Sequence, residues 1–285
     1  MKKSNKFRRH LIKDRYDIPN YQPQTIETAI KNVSKILNLA STITVEEFKS
    51  LLPQQMIFRA QAHNLSAGEY LYRARLLEGS DWRITDNWTE ADYWETPATL
   101  VNEWGRLNEP GESIFYATDD VRQSFKEIRY QADPNRNHGV VVAAFRVAEP
   151  FSAPRIGGVG NTISVDNIYS NMIDKIFSLP AEEYGKNVYK LSNFISDYFI
   201  VEQDPYDGFS FSSVQAPNSG SFNLALKPVS AHNHLKFEGS MVVPNYGESI
   251  DGNITTEIVR NANLEIGSPE LLKDWIFEKF KICYK

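Results

Sequence analysis

A single cysteine, Cys283, stands in 285 residues. A lone thiol excludes an intramolecular disulfide framework and any zinc site built on cysteines. Long apolar runs are missing as well, none reaching the roughly 18 residues that a membrane span needs. The opening stretch MKKSNKFRRHLIKDRYDIP is basic but lacks the apolar segment of a secretory signal. These absences point to a cytoplasmic protein with no membrane association. The chain also has no GxxxxGK[ST] phosphate loop, no GxGxxG after a strand, no HExxH and no GxSxG elbow. Of five histidines only His232 and His234 form a close pair, so no metal site is expected.

Charge is spread unevenly. Residues 1–19 hold seven Lys/Arg against two Asp, which leaves 24 basic and 34 acidic residues in the remainder. An acidic body argues against broad nucleic-acid binding, because that requires phosphate neutralisation over a surface. The basic arm reads as a solvated terminus.

Hydrophobic periodicity divides what remains. TIETAIKNVSKILNLAS carries Ile26, Ile30, Val33 and Leu37 at helical spacing, an amphipathic helix with that stripe turned inward. A second short helix follows Thr42 and is stopped by Pro53. Residues 1–55 therefore read as a basic arm and helical extension, and residues 56–285 as the main domain. There, MIFRA (56–60), EYLYRAR (69–75), SIFYAT (113–118), GVVVAAFRV (139–147), DGFSFSSV (207–214) and FNLALKP (222–228) have strand character. TDDVRQSFKEIRY reads as a helix capped by Thr118 or Asp119, with Val121, Phe125 and Ile128 inward. Helices are also expected at 170–179, 189–203 and in PELLKDWIFEKF. Short strands interleaved with helices, without a βαβα rhythm, predict an α+β fold.

Several polar residues interrupt these apolar segments: Tyr72 and Arg73 in LYRAR, Arg106 and Asn108 in GRLN, Tyr116, Glu127, and Ser213 in DGFSFSSV. Singly, each has a plain structural reading as a surface ion pair, a solvated helix carboxylate or a strand serine. Their order along the chain carries more. GRLNEPGESIFYATDDVRQSFKEI resembles the signature of RES-domain proteins: GR-x-N-x-PG, an apolar stretch ending in Tyr, then Glu one short helix later. LYRAR resembles the family's N-terminal motif, more fully than FRA at 58–60 does. DGFSFSSVQAPNSGSFNLALKP resembles its C-terminal motif, although Ser212 stands where the family usually has Pro and Phe211 where Tyr is common. The resemblance spans roughly residues 56–230.

The resemblance implies a toxin of the RES–Xre toxin–antitoxin type, with mixed sheets and packed helices like those of the ADP-ribosyltransferase fold. The implied activity is cleavage of the nicotinamide–ribose bond of NAD+, with phosphate or water as acceptor, as in an NAD+ phosphorylase or glycohydrolase. NAD+ is then substrate and no cofactor is required. Arg73, Glu127 and Ser213 are the implied catalytic residues, and Tyr72, Arg106, Asn108 and Tyr116 the implied substrate-binding ones. An Xre-type antitoxin is the implied partner, and a homo-oligomer is compatible with the pattern. Two alternatives stand beside this reading: an ADP-ribosyltransferase acting on a protein, and a non-catalytic module that keeps the RES frame.

Overall fold

The chain is α+β, with a nine-stranded sheet and packed helices. The computed structural model describes residues 24–53, 62–77, 85, 87–128, 139–156, 163–200, 208–212, 220–243, 257–260 and 269–280. The basic arm 1–19, the strand expected at 56–60, Ser213 and Cys283 lie outside these residues. The chain divides into two compact units. The first takes Met1–Ala62, Val101–Glu112 and Pro154–Tyr206, and the second His63–Leu100, Ser113–Ala153 and Asp207–Lys285. The units are thus drawn from interleaved segments of the chain.

In the first unit α1 (Ile26–Asn38) starts at Thr25, whose hydroxyl accepts from Thr28 N. A reciprocal capping box between Thr44 and Glu47 starts α2 (Val45–Leu51). Ser164 caps α4 (Val165–Ser178), and α5 (Ala181–Tyr184) ends at Gly185, whose φ of 73° suits glycine. The last helix here is α6 (Asn187–Ile200). Tyr169 of α4 is fully buried; its hydroxyl donates to Leu51 O at 2.7 Å and accepts from Asn32 Nδ2 at 3.3 Å. Asn32 also donates to Leu51 O, and this polar link sets the rotation of α1. Ala29 and Ile36 face inward, while Ile26 and Ile30 are 43% and 54% exposed. The stripe expected inward therefore turns partly to solvent. Helical spacing identified an apolar face, but tertiary hydrogen bonds chose the neighbouring one.

The second unit is organised by the sheet. The sheet's strands are β1 (Ala62–Leu65), β2 (Tyr70–Leu77), β3 (Phe115–Thr118), β4 (Gly139–Val147), β5 (Phe151–Ile156), β6 (Gly208–Ser212), β7 (Phe222–Leu226), β8 (Leu235–Val243) and β9 (Glu257–Arg260), of which residue 62 and residues 154–156 fall in the first unit. Their spatial order is β1-β5-β6-β7-β3-β2-β4-β8-β9. The neighbours from β6 through β9 in that order pair antiparallel. Period-2 alternation sorts β4 cleanly. Val141, Ala143, Phe145 and Val147 join one core with Leu71, Trp94, Phe115, Leu224 and Phe237. Val140, Val142 and Ala144 join another core on the opposite face, with Tyr72 and Met241.

That second core is closed by α3 (Val121–Glu127), through Val121 and Phe125, and by α8 (Pro269–Phe280), through Ile276 and Phe280. The cap of α3 is Asp120, whose carboxylate accepts from Gln123 N at 2.8 Å. Neither Thr118 nor Asp119, the expected caps, has that role. Thr118 Oγ1 donates to Phe222 O, and Asp119 Oδ1 accepts from Phe222 N, so both tie β3 to β7. A short α7 (Pro228–His234) opens on its proline at the first helical position.

Candidate functional site

Where β2 meets β3 the sheet nearly parts. β2 pairs with β4 along its whole length, from Tyr70 opposite Arg146 to Leu77 opposite Gly139. Against β3, its register holds only Tyr72 opposite Thr118. The next residue, Arg73, reaches across instead, and its Nη1 donates to Tyr116 O at 2.9 Å. A side chain thus takes over from the backbone ladder at the split.

Arg73 is half-buried, its guanidinium 5.8 Å from the Phe115 ring centre. The bond to Tyr116 is the one hydrogen bond its side chain makes among the described residues, and Nε is sealed from solvent without a partner. A guanidinium carries five N–H donors, so most of its capacity is unused. Burial, then the neighbouring Arg75, pull it down to about 9, while Glu95 and Tyr116 act the other way. It remains a cation at neutral pH.

Alternation sends Arg73 and Arg75 to the face of Phe115 and Trp94, with Leu71 and Leu77. Arg75 donates to Trp94 O. The adjacent Glu95 is 14% exposed at its side chain, meets His232 Nε2 at 3.1 Å through Oε1, and holds Oε2 sealed and without a hydrogen-bond partner. His232 in turn stacks on Trp94 at 4.1 Å. Glu95 and His232 were not foreseen as part of this cluster. Glu95 lies in an irregular stretch, and its link to residue 232 is tertiary, so no local pattern marks it.

Tyr72, Tyr116 and the helix bearing Glu127 belong to the other face. Tyr72 is buried in the core that α3 and α8 close; its hydroxyl donates to Lys279 O at 2.9 Å, and burial raises its phenol above the ordinary range. That hydroxyl is therefore committed to the fold. Tyr116 is half-buried and shares its side of β3 with Thr118. Glu127 closes α3, half-buried, and its Oε1 accepts from Gln123 Nε2 at 2.7 Å, one helical turn back. This bond fixes one carboxylate oxygen. The same face carries Asn223 of β7, opposite Thr118, and Asp119, whose carboxyl burial raises above its ordinary value despite the bond from Phe222.

The motif LYRAR thus supplies Tyr72 and Arg73 to opposite sides of one strand. Ser213 immediately follows the last residue of β6 and lies outside the described residues.

Arg106 and Asn108 belong to the first unit, where the GRLN loop is held from both ends. Ser192 Oγ donates to Arg106 O at 2.6 Å, and Asn193 Nδ2 to Gly105 O at 2.7 Å. Arg106 Nη2 donates to Leu179 O at 3.0 Å, and the guanidinium lies 5.5 Å from the Tyr189 ring centre. Asn108 is buried and Nδ2 donates to Glu103 O. A Cβ on Gly105 would collide with Asn108 Oδ1, which explains the glycine. These contacts give Arg106 and Asn108 a loop-shaping role.

Among the described residues no group of three His, Cys, Asp or Glu is placed to hold a metal ion, and no helix is long and apolar enough to cross a membrane. The chain matches no protein-family model, and comparison with curated proteins gives no match.

Proposed function

We propose that this protein cleaves the nicotinamide–ribose bond of NAD+, with phosphate or water as acceptor. The observation that carries the reading is Arg73: a half-buried cation beside the one β2–β3 residue pair, whose side chain makes a single hydrogen bond among the described residues. Such a guanidinium suits a pyrophosphate, which accepts paired charge-assisted hydrogen bonds. In the reaction the C1″–N bond breaks and nicotinamide leaves as a neutral base with the bonding electron pair. A phosphate oxygen, or a water oxygen that releases a proton to solvent, then bonds to C1″. Positive charge builds on the ribose, and a carboxylate held in advance stabilises that state more than the ground state. Glu127, oriented by Gln123, has that role. Because the pyridinium nitrogen needs no protonation to depart, no second carboxylate is required as general acid.

Tyr116 offers a ring for stacking and a phenol for hydrogen bonding, and Ser213, the next residue in sequence after β6, orients the substrate. Arg106 and Asn108 act indirectly, by shaping their loop. On this reading the chain is a cytoplasmic toxin of RES type, restrained by an Xre-type antitoxin that covers the site. A second reading has its own support: the bond from Arg73 to Tyr116 O makes the arginine a staple between β2 and β3, within a module that binds and does not react.

Proton NMR of the purified protein with NAD+, with and without phosphate, tests the proposal. Released nicotinamide accompanied by ADP-ribose names water as acceptor, and the 1″-phosphate names phosphate. Unchanged NAD+ in both samples, from folded protein, moves the assignment to a macromolecular acceptor or a binding module.

A further inference from the structure

Asn223 has no evident structural reason to be an asparagine. It lies within β7, 4% exposed, opposite Thr118 of β3 on one side and Phe211 of β6 on the other. Its amide Oδ1 is sealed from solvent and has no hydrogen-bond partner among the described residues. The neighbours in its row cannot supply one. Phe211 is apolar, the Thr118 hydroxyl donates to Phe222 O, and the Tyr72 hydroxyl, opposite Thr118 in turn, donates to Lys279 O.

An amide buried without its partner destabilises a fold, and a strand position beside Thr and Phe suits a β-branched apolar residue better. Unpaired buried groups in native proteins call for an explanation, of which a ligand role is one. Position supplies that role here. Asn223 shares its face with Tyr116, its diagonal neighbour across β3, and Ala225, opposite Tyr116, adds nothing beyond a methyl. Tyr116 and Asn223 therefore share the face that also receives α3.

We propose that Asn223 is a substrate-binding residue of this face, its amide oxygen accepting a hydrogen bond from a ribose hydroxyl of the dinucleotide. The assignment rests on the NAD+ reading above. Rotation about the Asn Cβ–Cγ bond is soft, so the carbonyl can be re-aimed without moving the strand. The strand fixes where the amide sits, and the ligand supplies the donor that the protein does not.

The test is Asn223→Val in the full chain, read by apo thermal stability and by NAD+ kinetics. The expected result is a Tm about 2–4 °C above wild type, with KM for NAD+ raised on the order of tenfold and kcat changed much less. A residue kept for packing gives the opposite pattern, a lower Tm with unchanged KM, and that result overturns the proposal. So does an unchanged KM at any Tm in an active protein. Should the valine variant fail to fold, Asn223→Ala is measured in the same way, and failure of both overturns the proposal. If wild type neither consumes NAD+ nor is stabilised by it, the NAD+ reading fails by itself. Apo Tm then decides the amide's role: a higher value supports a residue kept for a ligand, and a lower one makes it structural.

Discussion

Replacing Arg73 by Met separates the two roles that its geometry allows. Methionine keeps much of the side chain's length and removes the charge. The fold loses the bond from Nη1 to Tyr116 O at 2.9 Å, worth about 1.5–3 kcal/mol for a charged donor. It also sheds the sealed, unpartnered Nε, whose burial costs about 1–3 kcal/mol. The two terms oppose each other, so the net change in stability stays within about 2 kcal/mol of zero. Binding has no such compensation. If Arg73 holds a pyrophosphate, kcat/KM for NAD+ falls by about a hundredfold or more, close to 2.7 kcal/mol.

The assay pairs thermal unfolding without ligand with initial rates of nicotinamide release. The expected outcome is a nearly normal Tm and a collapsed kcat/KM. A fall in stability well beyond 2 kcal/mol, approximated from the same terms, with catalysis intact in the remaining folded protein, would refute the reasoning and make Arg73 a staple. Arg73→Lys sharpens the distinction. One ammonium still serves a single carbonyl but has lost the planar fork that matches a phosphate pair, so a lysine variant is stable and catalytically weak.

Glu127→Gln keeps an acceptor for Gln123 while removing the charge. Turnover should drop by about a hundredfold or more, on the order of 3 kcal/mol, with Tm almost unchanged; near-normal turnover removes Glu127 from the chemistry. Glu238 provides a pH test remote from the site. Burial works against its charged form, yet bonds from Arg146 at 2.8 Å and Lys279 at 3.2 Å hold its carboxyl below the ordinary value. A lowered carboxylate contributes stability that is full above the ordinary Glu range and fades as pH falls through the folded value. Glu238→Gln should therefore cost about 1–2 kcal/mol near neutrality, and its Tm should converge with wild type on acidification; a gap that persists at low pH contradicts the linkage. Gly208→Ala should destabilise by about 1–3 kcal/mol, because its Cβ meets Ala225 O and approaches Leu226 Cδ2 at 2.7 Å. The leucine tip can give way, but the strand carbonyl cannot, and an unchanged Tm would show that β6 shifts freely.

Elements that satisfy themselves locally were legible before the structure. GVVVAAFRV is β4 to the residue, because a continuous apolar run suits a strand buried on both faces. The segment after Thr42 became a helix with a capping box and a proline just beyond. Elements whose character comes from a neighbour were not. Nothing in FSAPRI marks it as β5, and LKFEGSMVV becomes β8 by pairing along the full length of β4. The inward face of α1 was misjudged for the same reason. Asn32 is polar and breaks the apolar stripe, yet its bonds to Tyr169 and Leu51 O decide which way the helix turns.

At the candidate site, the sequence names the motif residues but not their partners. LYRAR in a strand obliges Tyr72 and Arg73 to point apart; what brings Arg73 back toward Tyr116 is the parting of β2 from β3 after one residue pair. On its other edge β3 pairs with β7 from Phe115–Leu226 to Thr118–Asn223, with Thr118 and Asp119 both bonded to Phe222. The segment after β6 thus supplies β7, β7 holds one edge of β3, and the Arg73 guanidinium bonds β3 from the other. Arg73 Nε and Asn223 Oδ1, on opposite faces of the sheet there, are both sealed from solvent without a hydrogen-bond partner among the described residues.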